Sequence, residues 1–394
     1  MSEFPSDWEI ANLGAYLKET KERVHEGTAT PYSVSKVLGI VPQSEKFKKR
    51  VASNDISNYK IIRKGDFAYD PMLLWDGSIN RMLREGIGAV SPAYVTFRVL
   101  DNSLDANYLL HFLKADTAKN FYKSISKGTN VRRQKAEFRD FASGEFAFPP
   151  LPEQKKIAEI LSGIDLHISK NEKRVHKLQL SHASLSANTF YIKPETEHLA
   201  VALGDVVALR HGYQFRTPDF AKHGAKVIKI SQVIGDGVVL TEGCDKVPWE
   251  LASGKEKFRL KPGDVLMSLT GNIGRVGIVP ETSEVLLQNY RVGLFAPINR
   301  CISGEYMIHL LESRQVVSQL EDNANASAQA NFGKGDLDKI MVYLPDLQTQ
   351  EKTASLLSSS KDLIKAEKRK IKALRNTKHS VASDLLTGRK RVSI

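Results

Sequence analysis

The side chains of this sequence best suited to chemistry are suited to gripping nucleic acid. Between Thr117 and Arg139 stand Lys119, Lys123, Lys127, Arg132, Arg133, Lys135 and Arg139 against one acid, Glu137. At the centre, SKGTNVRRQ (126–134) gathers Lys127, Thr129, Asn130, Arg132, Arg133 and Gln134 around Gly128. Lysine and threonine suit phosphate oxygens, arginine pairs bidentately with guanine, and asparagine or glutamine does so with adenine. Ser78, Asn80 and Arg81 in DGSINR (76–81) form a second candidate group. Later in the chain the same residue types recur as Tyr213 and Gln214 after Gly212, and as Asn272 and Arg275 in TGNIGRVG (270–277). Ser327, Gln329 and Asn331 follow in NANASAQANFGKG (323–335), which keeps amides and small residues but not the charges. A solvated polar loop has a similar composition, so these are candidates for DNA contact.

Catalytic patterns are missing. There is no GxxxxGK[ST] phosphate loop, since Gly333-Lys334-Gly335 lacks both the spacing and the hydroxyl residue. The glycines at 271, 274 and 277 do not make GxGxxG, and a strand rather than a helix is expected after them, so a loop or hairpin is the reading there. No Asn-Pro-Pro-aromatic tetrapeptide is present to hold a target amine. His111 and His309 lie amid apolar helical neighbours without partners at zinc spacing, the setting of a core or interface histidine. Cys244 and Cys301 are the only cysteines and offer neither a disulfide framework nor a metal knuckle.

The elements that must position the candidates are organised as a repeat. PPLPEQKKIAEIL (149–161) returns as PDLQTQEKTASLL (345–357), with Pro149, Leu151, Gln154, Lys156, Ala158 and Leu161 falling on Pro345, Leu347, Gln350, Lys352, Ala354 and Leu357. Upstream, RKGDF (63–67) matches KPGDV (261–265) and YLLHFLK (108–114) matches YMIHLLE (306–312). After each proline-marked start, apolar residues recur alternately three and four apart. They run through Leu161, Ile164, Ile168, Val175, Leu178 and Leu185 in one segment and through Leu357, Ile364, Ile371, Leu374 and Val381 in the other. Two long helices with heptad seams are expected, packed antiparallel on each other. The polar interruptions Asn171, His182, Glu367 and Lys378 suggest a register placing His182 near Glu367 and Asn171 near Lys378.

Elsewhere the pattern is mixed α/β. KVIKIS (226–231) and DVLMSL (264–269) read as strands, and 109–123 and 306–320 as helices. The divisions expected are 1–148, 149–198, 199–343 and 344–394: a globular domain, a helical spacer, a second globular domain and a second spacer. The 394 residues exceed one domain, and 41% hydrophobic with 26% charged residues suits a folded chain. No apolar run is long enough for a membrane span, and MSEFPSDWEI has no leader-like character, so a cytoplasmic setting without membrane contact is expected. The formal charge of +12 points to nucleic acid, yet residues 199–343 are neutral and 344–394 hold +7 of the excess.

Two variable-looking domains, each followed by a Pro-x-Leu-x-x-Gln start to a long helix, resemble the specificity subunit of type I restriction-modification systems over essentially the whole chain. PPLPEQKKIAEIL carries the resemblance most specifically. VIKISQVIGDG (227–237) with RLKPGDVLMSLTGNIGRVGIV (259–279) is similar to the usual target-recognition domain of that family. YSVSKVLGIVPQ (32–43), IIRKGDFAYDP (61–71) and SPAYVTF (91–97) resemble another subclass of it. The second repeat departs from the motif, with Thr353 where Ile157 stands and Asp346 in place of a second proline.

The resemblance implies a fold of two α/β target-recognition domains joined by two long helices that form an antiparallel coiled coil, related by a pseudo-twofold internal repeat. It implies a non-catalytic subunit whose domains each read one half of a bipartite, asymmetric double-stranded DNA target. The helices would dock two methyltransferase subunits, with Lys155, Lys156 and Glu159 on their outer faces. No cofactor is expected in this chain: S-adenosylmethionine and ATP would belong to the methyltransferase and to restriction/translocase subunits. A free-standing, repressor-like DNA-binding protein is the alternative, and it predicts tight specific binding by the isolated chain.

Overall fold

Proline and capping chemistry set where the two long helices begin. A computed structural model of the chain describes residues 4–24, 29–47, 49, 51–53, 55–126, 135–192, 199–326 and 334–393. The first long helix, Leu151–Phe190, opens behind Pro149-Pro150 with Pro152 in its first turn, where a missing N–H costs nothing. The second, Leu347–Leu386, has Asp346 at the place of Pro150. Asp346 is an N-cap: its carboxylate accepts from Thr349 N at 3.0 Å and from Thr349 Oγ1 at 2.8 Å. Those hydrogen bonds, the backbone one first, hold its carboxyl below the usual range. The departure from the motif thus exchanges one helix-starting device for another.

Gln154 and Gln350 explain the fixed glutamine. Each amide is buried and accepts from the backbone N–H of the residue that caps the next helix upstream, Asp105 at 2.7 Å and Ser303 at 2.9 Å. The Gln154 Nε2 donates to the carbonyls of Pro149 and Ser103, and the Gln350 Nε2 to those of Pro345 and Cys301. One side chain therefore ties helix start, cap and preceding turn together in both halves.

The chain divides into two units, Met1–Glu172 with Arg369–Ile394, and Lys173–Lys368. The first unit holds an antiparallel four-stranded sheet in the order Leu17–Thr20, Val95–Val99, Phe67–Tyr69, Ile79–Arg81. A second four-stranded sheet runs Gly39–Pro42, Thr30–Ser35, Ile87–Val90, Lys60–Arg63, with one parallel pairing between Thr30–Ser35 and Ile87–Val90. Its core is aromatic: Phe67, Tyr69, Phe97, Tyr108, Phe112, Tyr122, Phe141 and Phe148 pack with Ile157, Ala158, Leu161, Leu385 and Leu386 of the long helices. At the edge of that core Arg391 bonds the buried Glu153 and also Asp7, closing the C-terminal tail onto the N-terminal segment.

The second unit carries a six-stranded sheet, Val207–His211, Val292–Pro297, Val265–Ser268, Val276–Ile278, Gly237–Val239, Val233–Gly235. A three-stranded sheet contains Ala225–Ile228 parallel to Leu286–Gln288. Its main core joins Met267, Phe295, Tyr306, Leu310, Leu311 and Val316 to Phe190, Ala354 and Leu357. The expected strands at 226–231 and 264–269 are found as Ala225–Ile228 and Val265–Ser268.

Each single helix expected near 109–123 and 306–320 is two. Ala106–Leu113 and Asp116–Ile125 are separated by Lys114 and the extended Ala115, and Gly304–Glu312 and Arg314–Ala326 by the extended Ser313. Apolar periodicity is kept across the breaks, which is why the pattern alone did not show them. Ser313 Oγ donates to Leu310 O and accepts from Val316 N, ending one helix and starting the next.

Within each unit the long helices run antiparallel. Asp165 pairs with Lys378 and Glu172 with Arg375 in the first; Arg174 pairs with Glu367 and His182 bonds Ser360 in the second. The seam residues Leu161, Ile168, Val175, Leu357, Ile364 and Ile371 are buried. The register differs by about one heptad from the one suggested by the polar interruptions. Neither His182 with Glu367 nor Asn171 with Lys378 is formed, and Asn171 Nδ2 instead donates to its own helix at His167 O. Lys378 and Glu367 instead pair with the oppositely charged Asp165 and Arg174, in the register in which the apolar seam is buried. Among the described residues no helix is long and apolar enough to cross a membrane.

Candidate nucleic-acid interface

In both units a Gly-Asp turn precedes the central hairpin. Gly65 and Gly263, at φ of 95° and 85°, donate to Met82 O and Val279 O, and the carboxylates of Asp66 and Asp264 accept from Arg63 N and Lys261 N. These turns aim the strands that carry several of the candidates.

Lys127, Thr129, Asn130, Arg132 and Arg133 lie outside the described residues, as do Ser327, Gln329 and Asn331. The chain that returns from the first of these segments is anchored: Ala136 N donates to Pro71 O at 3.0 Å, and Tyr69 Oη donates to Ala136 O at 3.2 Å.

Ser78 and Asn80 are corrected. Both are buried, and Asn80 Nδ2 donates to Ser35 O, fastening the hairpin turn 35–39 to the next sheet. Strand alternation at Ile79–Arg81 does not expose them, because the sheet is covered at both faces there. Arg81 is half-buried. It donates to Asn107 Oδ1 at 2.9 Å, lies 5.9 Å from the Phe67 ring centroid and leaves its Nε without a partner. Burial lowers its pKa, with Asp105 opposing.

The second unit places its candidates on described turns. Gly212 is required, since a Cβ there would stand 2.3 Å from Gln288 O. That close approach delivers Tyr213 beside Phe215 and Phe258, with Lys255 Nζ 4.0 Å from its ring centroid, and leaves Gln214 exposed. Asn272 and Arg275 are exposed in the turn of an antiparallel hairpin, Val265–Ser268 with Val276–Ile278, as the glycine spacing indicated. Ser268 Oγ pins the turn by donating to Asn272 O and accepting from Arg275 N.

Between these two groups stands a pair the sequence reading missed. Tyr290 N donates to Tyr213 O, Leu269 N donates to Arg291 O, and Arg291 Nε donates to Tyr290 Oη at 2.7 Å. The aromatic-basic neighbours in QNYR (288–291) were the available signal. Tyr213, Tyr290, Arg291 and the 270–275 turn thus follow one another along one margin of the unit. Aromatic faces, amides and guanidinium groups in series make a surface fitted to phosphates and base edges.

Such a fold, two mixed α/β units sharing two long helices and each carrying polar side chains on hairpin turns, defines a class of recognition scaffold. The model of the type I restriction modification DNA specificity domain matches residues 48–179 and again 198–376. The chain belongs to that family, and it is a specificity subunit. The specificity subunit of type I restriction enzyme MjaVIII from Methanocaldococcus jannaschii is 27% identical, the match covering 98% of this chain and 94% of the relative. A putative specificity subunit of the MjaX enzyme from the same organism is 22% identical over 100% and 96%. Among solved structures, the S subunit from M. genitalium shares the fold at a TM-score of 0.54 and 13% identity, covering 98% of this chain and 96% of that one.

Proposed function

We propose that each unit reads one half of a bipartite, asymmetric double-stranded DNA target, and that the long helices form one antiparallel coiled coil that docks two methyltransferase subunits. Each half repeats the glutamine tie and the Gly-Asp turn, while the side chains presented on that common frame differ. This observation carries the reading: a shared frame with unlike presented residues suits two unlike half-sites. The chain itself is non-catalytic. S-adenosylmethionine belongs to the methyltransferase and ATP to restriction/translocase subunits, and the assembly works in the cytoplasm. Lys127, Thr129, Asn130, Arg132 and Arg133 serve the first half-site. Tyr213, Gln214, Asn272, Arg275, Ser327, Gln329 and Asn331 serve the second, and Tyr290 and Arg291 join them.

Sequencing of methylated adenines in cells carrying the methyltransferase tests this with two double variants. Arg132→Ala with Arg133→Ala should relax or abolish recognition in one half of the target only. Asn272→Ala with Arg275→Ala should do so in the other half, at about 1–3 kcal/mol per lost bidentate contact. A pattern in which both variants alter the same half, or neither alters any, would overturn the division of labour.

A further inference from the structure

The first unit contains a cleft of about 690 Å³ whose walls carry the cations Arg63, Lys64, Arg81, Arg98 and Lys155 and the acids Asp66, Asp101 and Asp105. Three of its cations are answered within the chain. Arg63 is bidentate to Glu22, Lys64 pairs with Glu85, and Arg98 pairs with the buried Asp66 at 3.1 Å. Arg81 and Lys155 have no ion-pair partner among the described residues, and Arg81 Nε is buried without any acceptor. Asp105 acts on Arg81 only through space, because its carboxylate is spent on Asn107 N and Tyr108 N, so the half-buried guanidinium has no ion pair of its own and an anion would complete it.

The second unit is an internal control. Arg81 faces Phe67 across its hairpin as Ile278 faces Val265, and Arg98 follows Phe97 as Ala296 follows Phe295. In the repeated helix start, Lys155 stands where the second half has Glu351. The frame therefore does not need cations at these places, and the first unit has acquired three of them around one cavity.

We propose that this cleft seats an acidic segment of a protein partner, one carboxylate meeting Arg81 and another Lys155. Duplex phosphates lie on the outside of a stiff rod, whereas a flexible aspartate or glutamate side chain can follow the walls of a cleft to a half-buried guanidinium. The cleft also lies at the end of the Phe67–Tyr69 and Ile79–Arg81 hairpin remote from Pro71, to which Ala136 is bonded. One of its walls is the first turn of a long helix, at Leu151 and Lys155. The proposal rests on the reading above, in which that helix docks a methyltransferase subunit.

Affinity of the full chain for the methyltransferase subunit, together with carbodiimide cross-linking and mass spectrometry, tests it. Arg81→Gln should weaken association about tenfold, as loss of a charge-assisted hydrogen bond does. The exposed Lys155→Gln should weaken it about twofold and remove an amide cross-link from Lys155 to an aspartate or glutamate of the subunit. Lys222→Gln, the same charge change on the second unit, should leave both readouts unchanged. Unaltered affinity in Arg81→Gln, with Lys155 joined only to carboxylates of its own chain, would overturn the proposal. So would Arg81→Gln sparing association while weakening DNA binding by the assembled complex, which would make the cleft a phosphate site. If the unsubstituted chain does not bind the subunit at all, the reading of the whole protein fails and takes this partner with it.

Discussion

His111 and His309 hold matching places in the repeat, and the corners built round them contain the same groups drawn from different positions. In the first unit His111 Nε2 meets Ser162 Oγ at 3.0 Å, and its Nδ1 lies 3.9 Å from Asp165, which binds Lys378 at 2.6 Å. In the second, His309 Nε2 meets Ser358 Oγ at 2.8 Å, and its Nδ1 lies 4.0 Å from Glu312, which binds Lys361. Ser162 and Ser358 correspond, but the acids do not. Asp165 comes from a long helix and corresponds to Lys361, whereas Glu312 comes from the short upstream helix and corresponds to Lys114. One pair of positions has reversed its charges. The lysine left over, Lys114, has no ion-pair partner among the described residues, while at the place of Lys378 the second unit has His182, bonded to Ser360 at 3.2 Å. The two corners share a triad of histidine, acid and ammonium, supplied from different helices.

What both units keep unpermuted is the glutamine tie, so its loss should be the most costly. Gln154→Leu and Gln350→Leu each strand a cap N–H and two carbonyls in buried surroundings, a penalty of about 2–4 kcal/mol. Urea unfolding followed by hydrogen exchange should show the loss confined to the first unit in one variant and to the second in the other. Unequal losses would mean that Pro150 and Asp346 are not equivalent ways of starting the helix.

The repeat and both heptad seams were legible because they rest on residue type at fixed spacing, which burial of one helix face enforces. The [Lys/Arg]-x-Gly-Asp and Pro-x-Leu-x-x-Gln segments were legible for the same reason, each being a local device with few alternatives. Register was not: Asp165 and Arg174 lie off the seam, so the polar interruptions gave no sign that they partner Lys378 and Glu367. Nor was the burial of Ser78 and Asn80, since a polar residue on a strand fastened to a neighbouring hairpin looks the same in sequence as one on a loop. Arg291 was missed because a single basic residue after a tyrosine gains meaning only once the chain has bonded Tyr290 to Tyr213 and Arg291 to the 270–275 turn's neighbour Leu269.

The charge reversal predicts opposite responses to neutralisation. Glu312→Gln leaves Lys361, four-fifths buried, without its carboxylate and should cost the second unit about 2–3 kcal/mol. Lys114→Met at the corresponding place removes a largely buried ammonium that has no ion pair among the described residues and feels Asp165 only through space, and should be neutral or stabilising by up to about 1 kcal/mol. Hydrogen exchange reported by peptides spanning 106–125 and 304–322 separates the two. Equal destabilisation would show that Lys114 is paired in solution, and would erase the asymmetry between the corners.

Proton linkage gives the finest test of the same asymmetry. Burial first, with Lys378 adding, brings His111 down to about 4, and burial, with Lys361 adding, does the same for His309. Between that value and an unfolded value of about 6.5 the unfolded chain binds more protons, so stability falls as pH drops through this window. Each histidine contributes at most about 1.4 kcal/mol per pH unit. Glu312 works against this in the second unit. Burial raises its pKa despite Lys361, so it takes up a proton more readily folded than unfolded and offsets part of the loss. His182, lowered by burial and by Lys361, adds to the loss, so the acid limb of the second unit is set by two histidines against one glutamate. At the other end Lys114 is lowered to about 8 by burial and by Lys378, so the first unit alone should gain stability as pH rises from about 8 toward about 10.5. Urea titrations from pH 5 to 10, resolved by unit, would show the two curves separating at the alkaline end. Parallel curves would mean that the permuted corners are electrostatically equivalent after all.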